Sequence, residues 1–402
     1  MKYVVILGDG MSDEPIEQLN GMTPLEYAKT PVMDELASKS EIGIVHTIPE
    51  GMKPGSDTAN LSVLGYNPRQ YYTGRSPLEA LSIGVAIEES DVALRCNIVT
   101  LSEDEANYED KVMIDHSSDE ISTEEAKELL DAVKAEFDNE EFQFYLGTSY
   151  RHCVIWKNGE VLVFAQPHDI LDRPITEYLP VNDKFLAMQK RSYEILENHP
   201  INQARRAQGL KPANSLWFWG AGTKPSLDSF KDKYGQNGAM ISAVDLLKGI
   251  AIGAKLHNII VEGANGGLHT NYEGKAQAAV KAVTKDGFDF VYLHVEAPDE
   301  MGHQGSVEKK IKAIENLDGR VIKLVKEGLD VAGEDYRMII LPDHPTPVRL
   351  RTHTSDAVPY LLYDSTKIEQ HSWKYNEKET IASGNVYDSG CALMEYFLGS
   401  NN

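Results

Sequence analysis

Short apolar runs alternate with stretches of helical period through both ends of the chain. The runs Tyr3–Leu7, Ile42–Val45, Asn258–Val261, Phe288–Leu293, Arg337–Leu341 and Val358–Leu362 are brief and almost wholly apolar, which predicts buried strands. Between two of them lies "SVEKKIKAIENLDGRVIKLVKEGL", where Val307, Ile311, Ile314, Leu317, Val321, Leu324 and Val325 recur at three- and four-residue spacing. Those positions share one helical face, so the segment predicts a helix lying on a sheet with its lysines and glutamates in water. Strands alternating with such helices predict an α/β core with a mainly parallel sheet.

The middle of the chain has a different texture. Residues 103–141 are strongly acidic, and within them "STEEAKELLDAVKAEF" sets Ser122 and Glu125 as a capping box ahead of an amphipathic helix. The acidic run reads as a solvated surface. The simplest layout is a core formed by residues 1–80 and 216–402, with a smaller α+β domain, residues 81–215, inserted into it.

A chain of 402 residues is long enough for two such domains. Its formal net charge of −23 argues against nucleic-acid or anionic-membrane partners, which would repel it. Cys96, Cys153 and Cys391 are scattered and form no CxxC pair, which points to a reducing compartment without disulfides. The opening "MKYVVILGDG" is too short in its apolar part for a secretory leader and no segment has the length of a membrane span, so a cytoplasmic location is expected.

The polar residues at the strand ends carry the chemistry. The first strand runs into Asp9 in "LGDGMSD". The fourth leads to Glu296, Asp299 and His303 in "HVEAPDEMGHQG", the fifth to Asp343 and His344 in "ILPDHPTP", and His353 precedes the last strand. Open α/β sheets gather functional groups just beyond the carboxyl ends of their strands. Singly, each residue has a plain explanation: an Asx-turn at Asp9-Gly10, a surface imidazole at His303, turn chemistry before Pro345. Together Asp9, Asp299, Asp343, His303, His344 and His353 supply the mixed oxygen and nitrogen donors used by Mn²⁺, Zn²⁺ or Mg²⁺. In "PGSDTANLSVLGYNP" Ser56 stands where a loop feeds a helix, either as a cap or as a nucleophile activated beside bound metal.

The motifs "GDGMSD", "PGSDTANLSVLGYNP", "YYTGRSPLEA", "HVEAPDEMGHQG" and "LPDHPTP" together make the chain resemble the archaeal-type, cofactor-independent phosphoglycerate mutases of the alkaline phosphatase superfamily. The likeness extends through "GTSYRHCVIW", "FWGAGTKP" and "ISAVDLLKGIA". It implies an alkaline-phosphatase-like core, an inserted substrate-binding and closure domain, and two divalent metals at the interface. By motif, one metal would be held by Asp299, His303 and His353, the other by Asp9, Asp343, His344 and the nucleophile Ser56. The implied reaction interconverts 3-phosphoglycerate and 2-phosphoglycerate through a phosphoserine, without bisphosphoglycerate. Candidate substrate contacts are Arg151, His152, His168, Asp169 and Arg205, with Arg75 as a further possibility; an arginine can grip a carboxylate in a bidentate fork.

The chain departs from the mutase pattern at Asn60, where mutases commonly carry histidine four residues after the nucleophile. An asparagine neither carries positive charge nor shuttles a proton. A branch proposed to be homoserine kinases, which the chain also resembles, is therefore a second reading, and ATP would be a substrate only there. No GxxxxGK[ST] loop is present, so a kinase here would not be of the P-loop type. Another phosphatase or phosphomutase is a third reading, and a metal-binding module without catalysis a fourth, which the full donor set and nucleophile disfavour. The expected partner is a small phosphorylated or hydroxy-acid metabolite.

Overall fold

Strand β1 (Lys2–Gly8) is buried from Val4 onward, as an apolar run with strands on both sides must be. It opens a computed structural model that describes residues 1–399. In chain order the next strands are β2 (Glu41–Val45), β3 (Val92–Leu101), β4 (Met113–Asp115), β5 (Phe142–Tyr145), β6 (Arg151–Trp156) and β7 (Ser215–Thr223). Then come β8 (Gly238–Ile241), β9 (His257–Asn258), β10 (Phe290–Val295), β11 (Tyr336–Leu341), β12 (Val358–Asp364) and β13 (Val386–Tyr387). The chain divides into one unit of Met1–Tyr72 with the residues from Ser226 onward, and a second unit of Thr73–Pro225.

The first unit holds an eight-stranded sheet in the order β13-β2-β12-β11-β1-β10-β8-β9. Neighbours are parallel except at β12, which runs against both β11 and β2. The fold is thus an α/β fold with a mainly parallel sheet. Register sets the level at which each strand stops. Gly8 lies opposite Val295 of β10, and Leu7 opposite Leu341 of β11, so the three strands end together. Because β12 is antiparallel, its beginning at Val358 lies at that same edge, opposite Val45 at the end of β2.

Two predicted strands shift. The run Asn258–Val261 gives only the two residues of β9, because this edge strand ends when Ile259 donates to Met240 O and the chain leaves the sheet. The fourth begins at Phe290, not Phe288, since the Phe288 amide still bonds back to Ala282 O at the end of the preceding helix. The long helical pattern divides into Val307–Leu317 and Lys323–Ala332, joined by a π-helical turn, Asp318–Ile322. The extra residue of a π turn rotates the helical face, so that Val321 and Ile322 within the turn and Val325 and Leu329 beyond it are all buried.

The second unit is an antiparallel sheet in the order β4-β3-β6-β5, with β7 paired to β3. All ten residues of β3 are buried, because strands flank it and both its faces are covered. Its helix Thr123–Phe137 begins at Ser122, whose hydroxyl accepts from Glu125 N at 3.1 Å. Ala126, Leu129, Leu130 and Val133 pack from it into a core with Phe144, Phe185 and Phe218. Cys96, Cys153 and Cys391 are free thiols. Among the described residues no helix is long and apolar enough to cross a membrane.

Candidate metal centre

The level strand ends of the first unit bring the loops after β1, β10 and β11 together. The chain leaves β1 through Asp9 and turns at Gly10, whose φ of +58° suits glycine. A Cβ there would stand 2.5 Å from both Asp299 Oδ1 and Thr346 Oγ1, so only glycine lets these loops close. The Gly10 amide donates to Asp343 Oδ1 at 3.2 Å, and Thr346 N to Ser12 O at 3.2 Å. From below, the buried Lys310 ammonium donates to Ser12 O, Asp13 Oδ2 and Thr346 O, at 3.1, 2.8 and 2.8 Å. One cation thereby staples the loop of Asp9 to the loop of Asp343.

On that scaffold lie two groups of donor atoms, each within 4.8 Å: Asp9, Asp343 and His344, and Asp299, His344 and His353. His303 adjoins the second, its Nε2 3.2 Å from Asp299 Oδ2 and 3.0 Å from His353 Nε2. Its Nδ1 donates to Arg351 O at 2.9 Å, which leaves Nε2 as the nitrogen that can bind metal. The helix Ser56–Val63 presents the Ser56 hydroxyl 3.1 Å from His344 Nε2. Asp9, Ser56, Asp299, His303, Asp343, His344 and His353 are therefore neighbours, although Asp9 and His353 are separated by most of the chain.

The electrostatics fit a cation. Asp9 Oδ1 is buried with no hydrogen-bond partner. Burial first, and then the charges of Asp343 and Asp299, push the Asp9 carboxyl well above the ordinary range. Burial also pushes His344 down, favouring the neutral imidazole that a metal needs. At Asp299 burial acts upward, but hydrogen bonds from His303 and His353 outweigh it and hold the carboxyl well below the usual range. His303 is correspondingly pushed up to about 9, the bond to Asp299 overcoming burial. Clustered acids and imidazoles with an unpartnered oxygen are a donor set suited to two divalent ions.

The second unit carries a cluster of its own. Arg75 Nε donates to Glu79 Oε1 at 2.8 Å, and Arg95 Nε lies 3.3 Å from Glu79 Oε2 without hydrogen-bond alignment. Burial acts upward on Glu79, yet Arg95 and Arg75 hold it below the ordinary range, with Arg151 adding to the effect. Burial in turn pushes Arg95 down to about 10, with its guanidinium 4.8 Å from the Trp219 ring centre. The His168 ring lies 5.4 Å from Trp219 and 6.0 Å from His116, whose Nδ1 is buried without a partner. The charges of three guanidinium groups thus act on one buried carboxylate within a strongly acidic protein. Arg95 escapes a search for exposed motifs, but an arginine within the apolar strand "VALRCNIV" is a signal in itself.

The other expected substrate contacts are distributed differently. Arg205 is a correction: it is buried, donating to the carbonyls of Lys211 and Ser118 and to the Glu125 carboxylate, so all three of its bonds are spent within the fold. His152 is buried as well, its Nδ1 accepting from Gly147 N at 3.2 Å, and burial pushes it down to about 3. Arg151 stacks over Tyr150 beside the arginine cluster, and Asp169 is exposed next to His168.

Comparison with known proteins gives a consistent result. A family described as 2,3-bisphosphoglycerate-independent phosphoglycerate mutase matches residues 37–202. A probable 2,3-bisphosphoglycerate-independent phosphoglycerate mutase of Geobacter sulfurreducens is 47% identical, covering 99% of this chain and 100% of the relative. The enzyme of that name from Methanosarcina barkeri is 45% identical over 96% of each chain. Among solved structures, a cofactor-independent phosphoglycerate mutase from Thermoplasma acidophilum is 26% identical, with a TM-score of 0.63 and all of both chains covered. A Pyrococcus horikoshii protein is 30% identical with a TM-score of 0.81, covering 100% of this chain and 98% of that one.

Proposed function

The chain belongs to the 2,3-bisphosphoglycerate-independent phosphoglycerate mutase family, and from that membership we propose that it interconverts 3-phosphoglycerate and 2-phosphoglycerate through a phosphoserine at Ser56. The single observation that carries the mechanism is the meeting of the Ser56 hydroxyl with His344, Asp9 and Asp343 at one edge of the sheet. Asp9, Asp343 and His344 would hold one divalent ion beside Ser56, and Asp299, His303 and His353 the other. Such ions lower the pKa of a neighbouring hydroxyl and neutralise phosphoryl oxygens. Ser56 takes the phosphoryl group from one hydroxyl of the substrate, and the retained glycerate accepts it back on the other.

Asn60, which brought a homoserine kinase into consideration, has a structural occupation. It donates to Ser56 O at 2.8 Å and to Asp343 Oδ2 at 2.9 Å, and proton transfer is not asked of it. The test is a paired assay of the metal-loaded protein. One arm supplies 3-phosphoglycerate without bisphosphoglycerate, the other ATP and L-homoserine. Formation of 2-phosphoglycerate in the first arm is expected; product in the second arm alone would overturn the proposal.

A further inference from the structure

Strand β10 carries two buried polar side chains that are not metal donors. Tyr292 and His294 stand two residues apart and so face the same side of the sheet. His294 Nε2 lies 2.8 Å from Asp9 Oδ2. Asp9 must be ionised to hold a metal, and an ionised carboxylate only accepts, so with the ion bound this nitrogen carries the hydrogen. The other ring nitrogen, Nδ1, is 3.2 Å from Ser242 Oγ, which already accepts from Val244 N at 3.0 Å and has its own hydrogen to give. The ring is thereby held from both sides. Asp9 Oδ2 is committed to it, and Asp9 Oδ1 is left 3.6 Å from His344 Nε2.

Tyr292 does the same for Asp343 at one remove. Its hydroxyl donates to Asn60 Oδ1 at 2.6 Å, which fixes the amide so that Nδ2 faces Ser56 O and Asp343 Oδ2. Asp343 Oδ1 is meanwhile taken by the amides of Gly10 and His344. Its remaining acceptor capacity lies on Oδ2, 3.4 Å from His344 Nε2. Position 60 must accept once and donate twice, which a primary amide does and an imidazole does not. This is a physical reason for asparagine in this chain.

We propose that Tyr292 and His294 are positioning residues of the metal centre, a pair of hydrogen-bond donors on one face of β10 that determine which oxygen of Asp343 and of Asp9 is offered to the ion beside Ser56. Their role rests on the two-metal reading of the site. Outer donors of this kind are worth roughly 10- to 100-fold in metal affinity.

The experiment titrates Mn²⁺ into metal-free protein by calorimetry and records the visible spectrum of the Co²⁺ form. Wild type is expected to bind two ions. Tyr292→Phe and His294→Leu should each weaken one of the two ions about 10- to 100-fold, alter the Co²⁺ spectrum and leave the other ion within a few-fold of wild type. His294→Gln, which keeps an N–H at that reach, should restore the affinity. Folded Tyr292→Phe and His294→Leu proteins that bind both ions as wild type does would overturn the proposal. A lowered melting temperature of the metal-free protein with unchanged affinities would do so too. If His294→Leu does not fold, Tyr292→Phe, which loses one hydroxyl, decides alone. A wild-type protein that binds no ion would refute the two-metal reading itself and is distinguishable from either result.

Discussion

Ser56 and Asn60 lie one helical turn apart on the helix Ser56–Val63, so Ser56 meets His344 and Asn60 its neighbour Asp343. Their roles separate cleanly by substitution. Ser56→Ala should reduce turnover by about 10³-fold or more and abolish the phosphoenzyme, while two-ion binding measured by calorimetry persists. Asn60→His can keep, as a neutral imidazole, one donated bond and the acceptor for the buried Tyr292 hydroxyl, or, as an imidazolium, both donated bonds without that acceptor, so one of the three buried bonds is lost. That should cost about 1–3 kcal/mol, read as a lower midpoint in denaturant unfolding. The candidate donors Asp9, Asp299, Asp343, His344 and His353 stand out in the sequence because each lies near a short apolar run bounded by polar turn residues. His294 was not: inside "VYLHV" it looks like a strand residue, and nothing local shows that Asp9 lies 2.8 Å away. Arg205 misled in the opposite sense, since a charged residue on a helix gives no sign of whether carbonyls or a ligand will meet it.

At the scale of elements, the π turn Asp318–Ile322 opens on a buried carboxylate with a measurable consequence. Asp318 is buried, and its two oxygens accept from Met33 N at 2.7 Å and Val32 N at 3.2 Å, in the first turn of the helix Pro31–Ala37. A carboxylate is favoured there by the helix dipole, but burial dominates and raises its pKa from 3.8 to about 6. The folded state therefore holds this proton more tightly than the unfolded chain. Its contribution to stability is fully present below about 3.8 and is lost as pH rises through about 6. Between those limits the stability of wild type relative to Asp318→Asn should fall by about 3 kcal/mol, measured by urea unfolding at pH 4 and pH 7. A difference that rises with pH would contradict this. The helix itself was legible from its apolar spacing; the π turn was not, because the pattern of buried positions tolerates one inserted residue.

For the molecule as a whole, metal and stability should be linked. The donors come from Asp9, Ser56, Asp299, His303, Asp343, His344 and His353, so any ion held by them closes very long loops of chain. Chelation should lower the melting temperature. Restoring an ion at a hundred times its dissociation constant should return about 2.7 kcal/mol per site. His303, pushed up to about 9, must lose its proton to ligate. Raising pH from 6 to 8 should therefore tighten binding on the Asp299 side, with proton release visible as a buffer-dependent binding enthalpy. Binding that weakens over that range would exclude His303 as a ligand.

The sequence by itself determined the period of each element, the polar endings of the strands, and the chemical types gathered there, because these depend on residues adjacent in the chain. It could not determine distances between loops hundreds of residues apart. Those were decided by strand order and register: β1 between β10 and β11 with level ends, and β12 reversed so that His353 enters at the same edge. They also decided which buried polar groups serve the donors, as His294 does Asp9, and which serve the fold, as Arg205 does. A side chain's chemistry is local, whereas its partner is chosen by packing.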